Sequence, residues 1–362
     1  MFEVATDATS IFNTCDIVTL SMKQRKVGER LNYLELDYNK CIAAIFGLVV
    51  GDALGVPVEF KSRTSMKANP VTDMIGFGTH NQPAGTWSDD SSMVVATLEW
   101  FSEMKDVPDY GALMDKFSNW LMHGEYTPYG QTFDCGISTS RAIINYRKGI
   151  KPLQCGGKAE WENGNGSLMR ILPVALWCSR GLATDEMTGK EFIYDLSTLT
   201  HGHLRSKMAC LIYSKVIADF FYAQDQNKMK IIEKSMLACK AYFDSIDDEE
   251  ITFEKENYVP LWDVEAFSKL DEDSIKSSGY VVDTLMAAIW CFLNTDNYRD
   301  CVLKAVNLGD DTDTVGAVAG GLAGIYYGIE AILEEWLNLL PKKEWIISLV
   351  EQMIERKKEN LC

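Results

Sequence analysis

Two rows of glycine constrain this chain more than any other feature. Gly47, Gly51 and Gly55 fall at every fourth position with Ala43 ahead of them, and Gly316, Gly320, Gly324 and Gly328 repeat the spacing. A four-residue step places all members of a row on one helix face. Each glycine inside a helix costs about 0.5–1 kcal/mol relative to alanine. Close approach of another backbone along a smooth face offsets that cost. Both helices are therefore expected at the centre of the fold, packed tightly against neighbours or against each other. Crowded packing explains the glycines but not the residues at the helix ends.

Most of the remaining chain also reads as helix. Val94, Leu98 and Phe101 share one stripe, and Met208, Ile212, Val216 and Phe220 share another. Residues 281–293 are almost continuously apolar, and Trp345, Ile346, Leu349, Val350, Met353 and Ile354 recur at helical spacing before a basic end. Alternating strand patterns are scarce, so the expected class is all-α with more than ten helices. Residues 39–362 read as one domain. Residues 1–38 are polar and weakly periodic, an extension that suits an accessory helix, a partner-binding arm or a flexible leader. The acidic runs at 247–250 and 271–273 read as solvated loops.

The 362 residues carry 35 Lys and Arg against 52 Asp and Glu, a net charge of −17. That balance argues against non-specific nucleic-acid binding, which needs cations to displace counterions, and against anionic membrane surfaces. The apolar stretch 41–58 has about the length of a membrane span. Asp52 interrupts it, and an unpaired carboxylate near mid-bilayer costs roughly 2.5–3.5 kcal/mol, so a buried core helix is expected. Ten cysteines include no CxxC pair, and four histidines form no HExxH pattern. Reduced thiols and an N-terminus without a signal-peptide pattern point to a cytoplasmic protein.

The chemistry concentrates at two helix starts. GTWSDDSSM (85–93) offers Ser88, Asp89 and Asp90; GDDTDTVGA (309–317) offers Asp310, Asp311, Thr312, Asp313 and Thr314. Such residues can cap helices, but one suffices for a cap. Carboxylates this crowded repel and raise one another's pKa, a conflict that a divalent cation resolves. With only oxygen donors present, Mg²⁺, Mn²⁺ or Ca²⁺ fits better than zinc. Two clusters suggest two ions, as in catalytic pairs about 3.5–4 Å apart. GNGSLMRILPVAL (164–176) reads as a glycine-rich turn entering a helix near Ser167, where free amides could hold phosphate. FDCGIST (133–139) and LTHGH (199–203) add a carboxylate and two imidazoles near helix junctions.

Together GLVVGDALGVPVEF, TWSDDSSM, FDCGIST, GNGSLMR, LTHGH and GDDTDTVGAVAGGLAGIYYG resemble the ADP-ribosylglycohydrolase family, in that family's order and over about residues 40–330. The resemblance implies a compact orthogonal multi-helix bundle with a binuclear Mg²⁺ or Mn²⁺ site. By motif position it makes Ser88, Asp89 and Asp90 one ligand group, with Ser88 where many members carry threonine. Asp311, Asp313 and Thr314 form the other; Asp310 occupies a spot often filled by glycine. The catalytic carboxylates would be Glu59 and Asp134, with Asp313 serving both catalysis and metal. Gly164, Asn165, Gly166, Ser167 and Met169 would cradle the pyrophosphate or proximal ribose, with Phe133, Gly136, His201 and Tyr280 also lining the substrate site. The implied reaction cleaves the C1″ glycosidic bond between ADP-ribose and an acceptor, such as a protein arginine or another ADP-ribosylated molecule. An ADP-ribose reader without catalysis and a Mg²⁺-dependent nucleotide phosphohydrolase are the alternatives.

Overall fold

The glycine rows meet. In the computed structural model, which describes residues 38–105, 107–184, 187–223 and 227–359, the two glycine-bearing helices lie against each other in opposite directions. A methyl group built on Gly51 would overlap the carbonyl of Gly316, one on Gly47 would meet Gly320 and Gly324, and one on Gly324 would meet the carbonyl of Ala43. Gly55 lies over the backbone of Thr312 and Asp313. Gly328 departs from the expected row: it ends the second helix at φ +87°, where glycine is favoured because it has no Cβ.

Sixteen α-helices and no strands occur among the described residues. They are α1 (Tyr38–Gly55), α2 (Arg63–Ala68), α3 (Asp89–Glu103), α4 (Tyr110–His123), α5 (Ile137–Arg147), α6 (Leu172–Leu182), α7 (Lys190–Thr198) and α8 (Leu204–Tyr222). The second half supplies α9 (Lys228–Asp244), α10 (Glu249–Glu254), α11 (Val264–Ser268), α12 (Val281–Leu293), α13 (Tyr298–Asn307), α14 (Thr312–Tyr327), α15 (Glu334–Leu339) and α16 (Lys343–Glu359). The all-α reading holds, because the apolar stripes recur at helical spacing and bury together. Val94, Leu98 and Phe101 of α3 are buried, as are Met208, Ile212, Val216 and Phe220 of α8.

The α1–α14 pair forms the axis of the core, with α12 and α13 packed on α14 and α16 packed on α3. Tyr298 of α13 donates its hydroxyl to the Gly47 carbonyl at 2.7 Å, and Tyr213 of α8 donates to Val318 at 3.2 Å. Buried phenols thus reach the backbone of the central pair, as buried polar groups must. The stretch Tyr38–Val58 is apolar and long enough to cross a membrane, yet residues 41–58 of it are buried inside the fold.

Two local expectations change. The helix after GNGS begins at Leu172 rather than near Ser167. Pro173 sets this start, since its fixed φ suits a first turn and it lacks a donor to continue a helix behind it. The run at 247–250 is exposed but is not only loop: Asp248 caps α10 through the amides of Glu250 and Ile251. The reading of residues 1–38 as an extension falls, apart from Tyr38, outside the described residues.

Gly51→Ala is expected to destabilise the protein by at least about 2–3 kcal/mol, because backbone faces backbone and nothing flexible can yield. Gly136→Ala, where φ is −60° and the nearest atom is 3.8 Å away, should be close to neutral in the same denaturant titration.

Candidate metal centre

The α1–α14 contact carries acid from one helix onto acid from another. Asp52, in the last turns of α1, is fully buried. It accepts the Ser88 amide at 2.9 Å, the Ser91 amide at 3.0 Å and the Ser91 hydroxyl at 2.6 Å, so it fixes the start of α3 from beneath. Ser88 caps α3 through the Asp90 amide at 3.3 Å. Asp89 and Asp90 are not needed for that cap. At α14 the Asp311 carboxylate caps nothing. Capping therefore leaves most of this acid unexplained.

Acidic oxygens gather in overlapping groups. One oxygen from each of Asp52, Asp90 and Asp313 lies within 4.8 Å of the others, and the same holds for Glu59, Asp311 and Asp313. A third group, Glu59, His80 and Asp134, meets that spacing with a His80 ring nitrogen. Asp313 joins the first two groups and Glu59 joins the last two. Asp89 is buried and interacts with Asp134. Asn165 holds Asp311 through its amide at 2.8 Å and reaches the Thr284 hydroxyl at 2.9 Å. The Thr314 amide donates to Asp313 at 2.9 Å.

Burial first, and then mutual repulsion, pushes Asp89, Asp90 and Asp313 well above the usual carboxylate range. Asp52 rises to about 6 by burial despite the serine bonds that oppose the shift. Glu59 rises to about 7, through burial and through Asp134 and Asp311, while its bond from His80 opposes. Two oxygens, Asp90 Oδ1 and Asp313 Oδ2, are buried with no hydrogen-bond partner. Orphaned carboxylate oxygens are costly. Set in an all-oxygen cluster, they fit a hard divalent cation.

The turn at 164–170 stands beside this acid. Gly164 forms an isolated bridge with Tyr280, and the Asn165 amide donates to the Gly279 carbonyl at 3.0 Å. The expected substrate residues separate here. Asn165 bonds to Asp311, and Gly164 pairs with Tyr280 and lies near His201, whereas Ser167 is buried, accepting the Ser197 hydroxyl at 3.0 Å and lying 3.5 Å from the Cys210 sulfur. Met169 is buried as well. His201 is buried beneath Gly166, where an added methyl would come within 2.8 Å of its ring. Phe133 packs on His80 at 5.2 Å, and Gly136 sits exposed at the start of α5. His203 caps α8.

Sequence reasoning missed Asp52 and His80. Asp52 counted only against a membrane span, although a lone acid within an apolar glycine-rowed helix was itself a signal. His80 sits in a short 3₁₀ turn, Gly78–His80, with no periodicity to mark it.

The sequence profile of the ADP-ribosylglycohydrolase family matches residues 34–361. The chain belongs to the ADP-ribosylglycohydrolase family. It is 30% identical to the ADP-ribosylarginine hydrolase Tri1 of Serratia proteamaculans, over 87% of this chain and 79% of that protein. It is 28% identical to the ADP-ribosyl-[dinitrogen reductase] glycohydrolase of Rhodospirillum rubrum, over 90% of this chain and 96% of that one. A solved ADP-ribosylglycohydrolase-related protein complex superposes with a TM-score of 0.68 at 27% identity, covering 88% of this chain and 98% of the other. As an ADP-ribosylglycohydrolase, the protein is a hydrolase of ADP-ribosyl linkages, and the family's metal dependence agrees with the orphaned oxygens.

His201 gives a pH test of the wall behind this glycohydrolase site. Burial lowers its pKa to about 3, with the Arg170 charge adding to the shift. The Thr200 hydroxyl accepts from Arg170 at 2.8 Å and lies 2.9 Å from His201 Nδ1. Between pH 6.5 and 3 the unfolded chain binds a proton here that the folded chain refuses, so this residue's stabilising contribution falls as pH falls. His201→Gln is expected to flatten the fall in stability between pH 7 and 5, by up to about 1.4 kcal/mol per pH unit, in denaturation curves.

Proposed function

We propose that this pocket holds two Mg²⁺ or Mn²⁺ ions and hydrolyses the bond between C1″ of ADP-ribose and an acceptor atom, releasing intact ADP-ribose. The observation that carries the reading is the pair of buried, unpartnered oxygens on Asp90 and Asp313, inside a cluster assembled from α1, α3 and α14. Ser88, Asp89 and Asp90 are the ligands on one side, and Asp311, Asp313 and Thr314 those on the other. When bound, the ions supply positive charge that fixes the ribose hydroxyls and polarises water.

The chain's own groups then have separable tasks. Water adds to C1″, the bond to the acceptor breaks with its electron pair leaving on the acceptor, and a proton passes from water towards that atom. Glu59 is suited to move this proton, because its carboxyl is raised to about 7 and it sits beside both Asp311 and Asp134. His80 bonds to Glu59 and fixes the direction of its carboxylate. Asp134 is the second candidate, held at φ +47° ahead of α5. Asn165 orients Asp311, and the Gly164–Gly166 turn with Tyr280 forms the wall for the phosphates or proximal ribose. The name of the Tri1 relative puts arginine first among acceptors, and that of the Rhodospirillum rubrum relative points to a protein acceptor.

A product assay tests this reading. The enzyme given ADP-ribosylarginine with Mg²⁺ or Mn²⁺ should release ADP-ribose whole; AMP or phosphate would instead indicate a phosphohydrolase, and binding without release a reader. Chelation should abolish turnover, and returned metal should restore it. Asp313→Asn should lower kcat at least about 100-fold. It should also raise the melting temperature of metal-free protein, by removing a buried charge, while reducing the gain on adding metal.

A further inference from the structure

Three rings stand in a row beside the proton-moving carboxylates. Phe60 lies 6.1 Å from His80, and His80 lies 5.2 Å from Phe133. Glu59 precedes Phe60 in sequence and bonds to His80, while Asp134 follows Phe133. The row thus ends in solvent at one side and in acid at the other.

Phe60 is the member that packing does not explain. The residue is 68% exposed, yet its backbone is left-handed at φ +65°, a conformation costly for a bulky residue. The Phe60 amide donates to the Asp310 carbonyl at 2.7 Å, and the Asp310 amide donates to the Lys61 carbonyl at 2.8 Å. Asp310 is left-handed too, at φ +60°. Paired backbones therefore tie the exposed ring to the start of α14 and to the metal ligands on it. Glycine would meet the same backbone demand without strain, so the ring itself needs a reason.

We propose that Phe60, with His80 and Phe133, forms the acceptor subsite, selecting a planar cation such as the arginine guanidinium by stacking it on the rings within the field of Glu59 and Asp134. This rests on the reading of the pocket given above. A guanidinium stacks on aromatic faces and is weakly hydrated, so it gains from a half-exposed aromatic wall beside carboxylates. A neutral alkyl hydroxyl acceptor such as serine gains neither the cation–π attraction nor the field.

The test compares kcat/KM for ADP-ribosylarginine and ADP-ribosylserine peptides in the full chain loaded with Mg²⁺ or Mn²⁺. Phe60→Leu keeps an apolar side chain and the backbone strain but removes the π face, so the arginine-to-serine ratio should fall roughly fivefold to thirtyfold. Phe60→Gly should lower the ratio similarly while relieving strain, and Phe60→Trp should preserve or raise it. An unchanged ratio in Phe60→Leu and Phe60→Gly, or a wild-type enzyme that prefers serine, overturns the subsite. A wild-type enzyme that releases ADP-ribose from neither peptide nor from O-acetyl-ADP-ribose overturns both this inference and the function beneath it.

Discussion

Everything at the site depends on how closely α1 and α14 approach. Gly47, Gly51 and Gly55 face Gly320, Gly316 and the Asp313 backbone, with no side chain between the helices. Apart from the Thr312 hydroxyl donating to the Gly55 carbonyl at 2.8 Å, the packing is dispersion and excluded volume, so it tolerates no added carbon. Its consequence is electrostatic. Asp52 ends up within 4.8 Å of Asp313 and Asp90, although the three come from distant parts of the chain. A wider helix pair would let these carboxylates drift apart, and the crowding that suits a cation would vanish.

Concentrated charge is the next constraint. The same burial that stabilises the helices pushes Asp89, Asp90 and Asp313 towards their protonated forms. Asp52 answers part of this locally, through four contacts with the Ser88 amide and the Ser91 amide and hydroxyl. Asp311 is answered by Asn165, and Glu59 by His80. Asp90 Oδ1 and Asp313 Oδ2 have no such answer. The division is informative: Asp52, with both oxygens bonded, braces the start of α3, whereas Asp90 and Asp313 each keep one bare oxygen in the cluster.

How much of this was legible in the sequence follows from the range of each signal. The glycine spacing and the acid at helix starts are local, and they revealed both the central pair and most of the cluster. Asp52 was not legible as part of the site, because nothing within α1 shows that its neighbours will be Ser88 and Ser91. His80 escaped for the same reason, being brought to Glu59 by the 3₁₀ turns Val56–Val58 and Gly78–His80. The helix start expected near Ser167 moved to Leu172 because Pro173, not the Gly-Ser turn, decides where the ladder of hydrogen bonds begins. Ser167 and His201 are buried behind the 164–166 turn, where Ser197 bonds to Ser167 and Thr200 to His201 Nδ1. Residue type alone does not distinguish a group that faces a cleft from one that supports it.

Backbone strain ties the core to the rim. Phe60, Phe77, Asp134 and Asp310 are all left-handed without being glycine. They lie on the loops that also carry Glu59, His80, Asp134 and Asp311. Each costs of order 1–3 kcal/mol unless its surroundings over-determine it. Backbone pairing supplies that determination: Phe60 bonds to Asp310, Asp310 to Lys61, and Phe77 to Gln82. Arg63 reinforces the same seam, donating to the carbonyls of Leu308, Glu272 and Ile275. A rim held this way keeps its rings and carboxylates in place before any ligand arrives. The ordering cost is met by the α1–α14 core during folding, and binding then proceeds on a preformed surface.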